Sequence, residues 1–127
     1  MPGTVVAGQK LTSALLGMPP WTAMTLINSW SNFSGGRDGQ YRYWALTNEL
    51  EVIGDLQHAS ISGTSQFCST FTQFLPNSRS RDVGTEIIMS GLPTVQVSYS
   101  TTGVLEFAAL PTGSTVVAFH CWLSLDA

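Results

Sequence analysis

The alternation of apolar and polar residues with a period of two is the feature that most constrains how this chain folds. Its clearest example is Glu49–Leu56, in which Leu50, Val52 and Leu56 share one face while acidic residues share the other. Successive side chains of a strand point to opposite sides of a sheet, so this pattern is typical of a strand with one buried face. Similar short segments follow one another from residue 21 onward, and they predict an all-β protein.

The spacing of these segments predicts the architecture. About seven or eight short strands at roughly 8–12-residue intervals are typical of an antiparallel β-sandwich, here jelly-roll-like. Asn48 is suited to the positive φ of a hairpin turn, and further turns are expected at Gly103 and at Thr112-Gly113-Ser114. We therefore predict one β-sandwich domain over residues 21–127, preceded by an arm over residues 1–20.

The last predicted strand, from Thr115 to Leu125, is apolar on both faces. One face carries Val117, Phe119, Cys121, Leu123 and Leu125. The other is the candidate oligomer interface, and it consists of Val116, Ala118, His120 and Trp122. A strand with one solvent-exposed face should carry polar residues on that face. Either a second layer of the same chain or another subunit covers this face, and we favour a subunit in a closed symmetric oligomer.

The N-terminal arm carries the only helical pattern, over residues 4–16. Its apolar residues are candidates for an attachment device: Val5, Val6, Leu11, Leu15 and Leu16. Gly17 can end the helix, and the two prolines that follow prevent its continuation. One or two helical turns are not stable alone, so the arm needs a partner surface. It packs either on its own domain or on a neighbouring protein.

Charge and hydropathy exclude several classes of protein. Charged residues make up 10% of the chain, against roughly 25% in an average soluble domain. The net charge is −3 and Lys10 is the only lysine, so we expect no nucleic-acid binding, which needs a basic face. No apolar run approaches the roughly 20 residues that a membrane-spanning helix needs. The N-terminus also lacks a signal-peptide pattern, so we expect synthesis in the cytoplasm.

The residues give no sign of catalysis. Phosphate-binding, dinucleotide-binding and nucleophile-elbow motifs are missing, and we expect no enzyme activity, no cofactor and no metal site. Glu49 and Glu51 are interpreted as an ordinary solvated strand face, and His58 is placed in a polar loop. Cys68 and Cys121 are more consistent with buried thiols than with a disulfide, although the sequence leaves both open.

Aromatic residues near arginines are the one sign of ligand binding. Trp44 and Arg42 should share one strand face, with Tyr41 and Tyr43 on the other, and Arg37 lies close in sequence. Aromatic rings beside polar groups can stack on sugars, although core packing is their commoner use. Arg42, Trp44 and Arg37 are therefore candidate ligand-binding residues for a saccharide. The segment Arg79-Ser80-Arg81-Asp82 is interpreted as a charged, solvated loop, with contact to an acidic partner as the alternative.

The order of motifs along the whole chain resembles a β-sandwich module at the C-terminal end of minor tail proteins from phages of actinobacteria. The motifs are Ala7-Gly8-Gln9-Lys10-Leu11-Thr12, Trp21, Asn28-Ser29-Trp30, Tyr41-Arg42, Val52-Ile53-Gly54, Leu75-Pro76 with Arg79 or Arg81, and Gly103. Two positions depart from the pattern. Asn48 replaces a usual glycine, and Ser78-Arg79-Ser80-Arg81 replaces a usual Gly-Tyr-Arg-Pro.

The resemblance implies a non-enzymatic, self-associating β-sandwich, often a trimer, on the surface of a virion. The expected role is structural: a capsid decoration protein or a small tail-appendage head, bound to a capsid or tail protein through the arm. The alternative is a receptor-binding adhesin head that recognises a host cell-surface saccharide.

Overall fold

The computed structural model describes residues 18–83, 86–88 and 95–126, with the side chains of 61–62, 80–83, 86–88, 109 and 111–114 left out. The described residues form strands and turns without a helix, which confirms the predicted all-β, antiparallel, sandwich-like fold. The eight strands are β1 Thr22–Ala23, β2 Ser31–Asn32, β3 Gln40–Trp44, β4 Glu49–Cys68, β5 Ser80–Val83, β6 Glu86–Ile88, β7 Gln96–Tyr99 and β8 Leu105–Ser124. The predicted helix over 4–16 lies outside the described residues.

Strands β4 and β8 form one long antiparallel ribbon at the centre of the sheet. Its first half pairs Glu49 with Ser124 and continues in regular register to the pair of His58 with Thr115. Between His58 and Ser65 the register shifts repeatedly, and Gly63 adopts a positive φ of 70° there. Such irregularities bend strands and increase their twist. The ribbon therefore has two halves joined by a bend.

The shorter strands extend each half of the ribbon. Strand β3 pairs with the first half of β4, β1 pairs with β3, and β2 pairs with β4 nearer the bend. Strand β6 pairs with the first half of the ribbon along β8, whereas β7 pairs with the start of β8 and β5 with β7. All of these pairings are antiparallel. Both halves are thus widened into a curled sheet with an inner and an outer face.

The core forms where the inner faces of the two halves meet. The rings of Phe67 and Phe107, from beyond the bend, are stacked with centroids 4.0 Å apart. Both contact Phe119 of the first half, at 5.4 and 5.3 Å. The predicted inner residues Leu50, Val52 and Leu56 are fully buried. Burial of such side chains stabilises the fold by about 1.5–3 kcal/mol each, which is why the alternating pattern determines the fold.

Several local predictions are confirmed. Asn48 has a φ of 53° in the turn between β3 and β4. Gly103 has a φ of 83°, and a Cβ there would lie 2.1 Å from the carbonyl oxygen of Phe71, so only glycine fits this turn. Cys68 and Cys121 are both buried thiols, not joined by a disulfide. Burial raises the pKa of Cys68 to about 11, although a backbone hydrogen bond with Thr25 opposes the shift, so the thiol stays protonated near neutral pH.

Other predictions about element boundaries are wrong. The expected turn at Thr112-Gly113-Ser114 lies within β8, because the strand passes through the bend while still paired with β4. His58 lies inside β4 rather than in a loop after it. The expected charged loop becomes β5 from Ser80 onward, because the chain there pairs with β7. The preceding Arg79 forms an ion pair with Glu106 at 2.9 Å.

Candidate functional site

The outer face of the sheet carries a cluster of charged and aromatic side chains at the end where β3 turns into β4. The strand register places Arg42 opposite Glu51, and Glu51 opposite Trp122 of β8. His120 lies two pairs further along β8, opposite Ile53, and therefore on the same face. Residues that pair across neighbouring strands project from the same face of a sheet. We call the following set the outer-face cluster: Trp21, Arg42, Trp44, Glu51, His120 and Trp122.

Glu51 is the centre of the outer-face cluster and is 1% exposed. Its Oε1 accepts hydrogen bonds from Nε of Arg42 at 2.7 Å and from Nε1 of Trp44 at 2.8 Å. Its Oε2 is hydrogen-bonded to Nε2 of His120. The prediction that Glu51 lies on a solvated face is therefore wrong: the side chains of two flanking strands cover it.

The pKa of Glu51 reflects this environment. Burial works to raise it, but the hydrogen bonds from Arg42, His120 and Trp44 and the positive charge of Arg42 outweigh burial, so the pKa lies below its usual value of 4.5. The carboxylate is ionised at neutral pH. It therefore has no proton to give there, and its charge is balanced by the adjacent Arg42.

Aromatic rings enclose the guanidinium of Arg42. Its Cζ lies 4.0 Å from the ring centroid of Trp21 and 4.9 Å from that of Trp44. Cation–π contacts of this kind are attractive, and they strengthen as water is excluded. Trp44 also lies 5.8 Å from Trp122, whose ring is 6.0 Å from that of His120. The Arg42 guanidinium is thus engaged by a carboxylate and two indoles.

The structure brings together residues that the sequence suggested for two different purposes. Arg42 and Trp44 were candidates for ligand binding, whereas His120 and Trp122 were candidates for an oligomer interface, and all four belong to the outer-face cluster. Tyr41 and Tyr43 lie on the opposite face of β3, as predicted, and the structure shows that they pack against the core. The saccharide-binding role of Arg42 and Trp44 stays a prediction.

Arg37, the third candidate ligand-binding residue, has its ionic partner outside the outer-face cluster. Its backbone N–H donates to Oδ2 of Asp55 at 2.8 Å, and its guanidinium lies 3.5 Å from the other oxygen of that carboxylate. About half of the Arg37 side chain is exposed. This pair is therefore a half-exposed counterpart of the buried Arg42–Glu51 pair.

The residues of the predicted interface on β8 differ in their exposure. Val116 is only 4% exposed. At this position the chain itself covers the face, which was one of the two alternatives that the sequence left open. Ala118 is half-buried, whereas the side chain of His120 is 43% exposed and Trp122 is 41% exposed. The accessible part of the face is therefore its end nearest the β3–β4 turn. The candidate attachment residues Val5, Val6, Leu11, Leu15 and Leu16 lie outside the described residues.

The sequence analysis missed Glu51 as a member of the cluster and did not predict that Trp21 contacts Arg42. The position of Glu51 was recoverable from the hairpin. A four-residue turn ending at Asn48 pairs Trp44 with Glu49, and two residues further from the turn it pairs Arg42 with Glu51. An opposite-charge pair at facing positions is a known stabilising arrangement. The contact of Trp21 with Arg42 had no comparable signal, because it depends on how the segment before β1 lies.

Comparison with known proteins adds no relative. No family model, no curated protein and no solved structure matches the chain. Within the described part of the chain, no group of three or more His, Cys, Asp or Glu residues could hold a metal ion. No helix among the described residues is long and apolar enough to span a bilayer.

Proposed function

We propose that this protein is a non-enzymatic structural component of a phage particle, and that its β-sandwich self-associates through the exposed side of the outer-face cluster. The observation that carries the self-association is the exposure of the large apolar side chain of Trp122, which is 41% exposed on the outer face. The role in a phage particle, on the capsid or tail, is supported by the resemblance of the motif order to tail-protein modules.

The chemistry of the cluster suits contact with a second copy of the chain. Tryptophan and arginine are enriched at the centres of protein interfaces, whereas unpaired charges are disfavoured there. Glu51 and Arg42 already neutralise each other within one chain, so a partner can cover them without separating an ion pair. The 67%-exposed Leu46, in the turn that follows Trp44, adds apolar surface at the same end of the sheet.

A second copy is favoured over a different partner because exposed apolar side chains gather at this end of a chain with very few charges. A patch that is self-complementary closes into a symmetric assembly, and a ring of three copies is the arrangement that the resemblance implies.

Sedimentation velocity tests the interface. We expect the wild-type protein to sediment as an oligomer at about 100 μM, and Trp122→Asp to sediment as a folded monomer, because the interface would have to bury an unpaired charge. Leu75→Asp is the matched control: Leu75 is also about half exposed, but it lies in the segment between β4 and β5 beside Gly103.

Circular dichroism of each variant confirms that it is folded. A wild-type protein that sediments as a monomer, or a Trp122→Asp variant that remains oligomeric, would contradict the interface. The phage role is tested separately by labelling intact particles with an antibody to this protein. Particles without label at any capsid or tail position would remove that part of the proposal.

A further inference from the structure

A cleft of about 470 Å³ opens on the outer face of the sheet, next to β2 and close to the bend of the β4–β8 ribbon. Its volume lies within the range of about 300–1,000 Å³ that is typical of sites that enclose a small molecule, so it has room for a large side chain. We call it the bend cleft. The residues that line it from the outer face are Ser31, Phe33, Gln57, Ala59 and Val116.

The strand register places the bend cleft and the outer-face cluster on the same face of the sheet. Gln57 pairs with Ser31 of β2 and with Val116 of β8. It follows Glu51 by six residues in β4, and an even separation along a strand keeps two side chains on one face. At roughly 3.3 Å per residue, about 20 Å separates the two features along the ribbon. The Trp122 ring of one chain therefore cannot enter the cleft of that same chain.

The bend cleft combines apolar side chains with neutral polar ones. Phe33 is half-buried and Val116 is 4% exposed, and both contribute apolar surface. The side-chain amide of Gln57 donates to the hydroxyl of Ser31 at 3.3 Å, so these two polar groups are hydrogen-bonded to each other. The described residues that line the cleft include no Asp, Glu, Lys or Arg. An apolar group can therefore fill the cleft without covering a charged side chain of its lining.

Trp122 is a large apolar side chain near the other end of the same face. It is 41% exposed, although its ring lies 5.8 Å from that of Trp44 and 6.0 Å from that of His120. The nearby charges of Arg42 and Glu51 neutralise each other through their 2.7 Å ion pair. This end of the face thus presents an apolar ring whose neighbouring charges are already balanced.

The outer face between these two features is suited to the close approach of a second copy. Ile53 and Ala118 lie there, and both are half-buried apolar residues. The carboxylate of Asp55, on the same stretch, lies 3.5 Å from the guanidinium of Arg37, which balances its charge. Two copies that are turned end to end can place each ring over the other's cleft, and a ring of copies can use the same contact once between neighbours.

We propose that the bend cleft of one copy receives the Trp122 ring of a second copy. This inference rests on the self-association proposed above, and it names the surface that Trp122 contacts. A second copy is favoured over a small ligand, because the same face carries both an exposed apolar ring and an uncharged recess that this ring cannot reach within its own chain. Direct contact between two Trp122 rings is the alternative arrangement, and it leaves the bend cleft unfilled.

Sedimentation velocity of two complementary variants, alone and mixed, tests the contact. Trp122→Ala removes the ring and leaves the bend cleft intact, whereas Ala59→Asp places a charge in the cleft and keeps the ring. Each variant alone should associate at least about tenfold more weakly than the wild-type protein, because each disrupts one side of the contact. An equimolar mixture should regain association, since the ring of the Ala59→Asp copy can enter the unchanged cleft of the Trp122→Ala copy.

Thr70→Asp is the matched control for an added negative charge. Thr70 is exposed in the segment after β4 and does not line the cleft, so this variant should associate as the wild-type protein does. Circular dichroism of each variant confirms that it is folded. Recovery of association in the mixture shows independently that both variants keep their unchanged surface.

The outcomes separate this contact from self-association itself. A wild-type protein that sediments as a monomer would contradict both proposals. If the wild-type protein is an oligomer and Ala59→Asp associates equally well, only the cleft contact is overturned. A mixture that remains as monomeric as its two components would also overturn it, and would place Trp122 against a surface other than the bend cleft.

Discussion

The outer-face cluster and the inner face of the sheet at Thr115 lie at two ends of the same stretch of ribbon, and their buried polar atoms differ in hydrogen bonding. In the cluster, the Glu51 carboxylate receives hydrogen bonds from three side chains of its own chain. Near the bend, the buried Thr115 hydroxyl has no hydrogen-bond partner. A buried polar group with hydrogen-bond partners stabilises the fold, whereas a buried polar group without a partner lowers the free energy of unfolding. The difference separates a polar cluster that stabilises the fold from a single buried hydroxyl that destabilises it.

The largest expected effect comes from removing the cation of the outer-face cluster. Arg42→Met leaves the buried Glu51 carboxylate without its positive partner, and we expect the free energy of unfolding to fall by about 3 kcal/mol. Arg37→Met is the control, since its half-exposed pair with Asp55 should contribute only about 0.5 kcal/mol. Urea denaturation measures both. Equal losses in the two variants would mean that Glu51 is not effectively buried.

The pH dependence of stability gives the next effect. The pKa of Glu51 is lowered in the folded protein, so its stabilising contribution is fully present above its unfolded value near 4.5 and is lost as the pH falls through the folded pKa. Urea denaturation between about pH 6 and pH 3 should show the wild-type protein losing stability more steeply than Glu51→Gln. Glu49→Gln, a change two residues away on β4, should retain the steep dependence.

The smallest expected effect concerns the buried hydroxyl of Thr115 and has the opposite sign. Thr115→Val removes an unpaired buried hydroxyl while keeping the side-chain volume, so we expect the free energy of unfolding to rise by about 1 kcal/mol. Thr70→Val should change it very little, because Thr70 is exposed. Thermal or urea denaturation provides the measurement. A loss of stability in Thr115→Val would indicate that the hydroxyl already has a partner within the protein.

Features that depend on neighbouring residues were predictable from the sequence. Leu50, Val52 and Leu56 alternate with acidic residues, and burial of one strand face follows directly from that pattern. Asn48 predicted the turn between β3 and β4, because it is one of the few residues that tolerate a positive φ. The shared face of Arg42 and Trp44 followed from strand geometry alone.

Features that depend on distant pairing were not predictable in the same way. The polar Thr112-Gly113-Ser114 segment has the composition of a turn, but pairing with β4 keeps it within a strand. Glu51 is on the predicted outer face, but its burial depends on rings contributed by β3 and β8. The unpaired hydroxyl of Thr115 had no signal in the sequence, because the hydrogen bonding of a buried side chain depends on the residues that the fold places around it.

The position of β8 has a consequence for how the protein is made. This strand pairs with β4, β6 and β7, yet it is the last of the eight in chain order. As the chain leaves the ribosome, one edge of β4 waits unpaired until β8 has emerged, and such an edge is open to other chains. Pairing between segments so distant in sequence is slow. The protein is therefore most prone to aggregation in the interval between synthesis of β4 and the pairing of β8 with it.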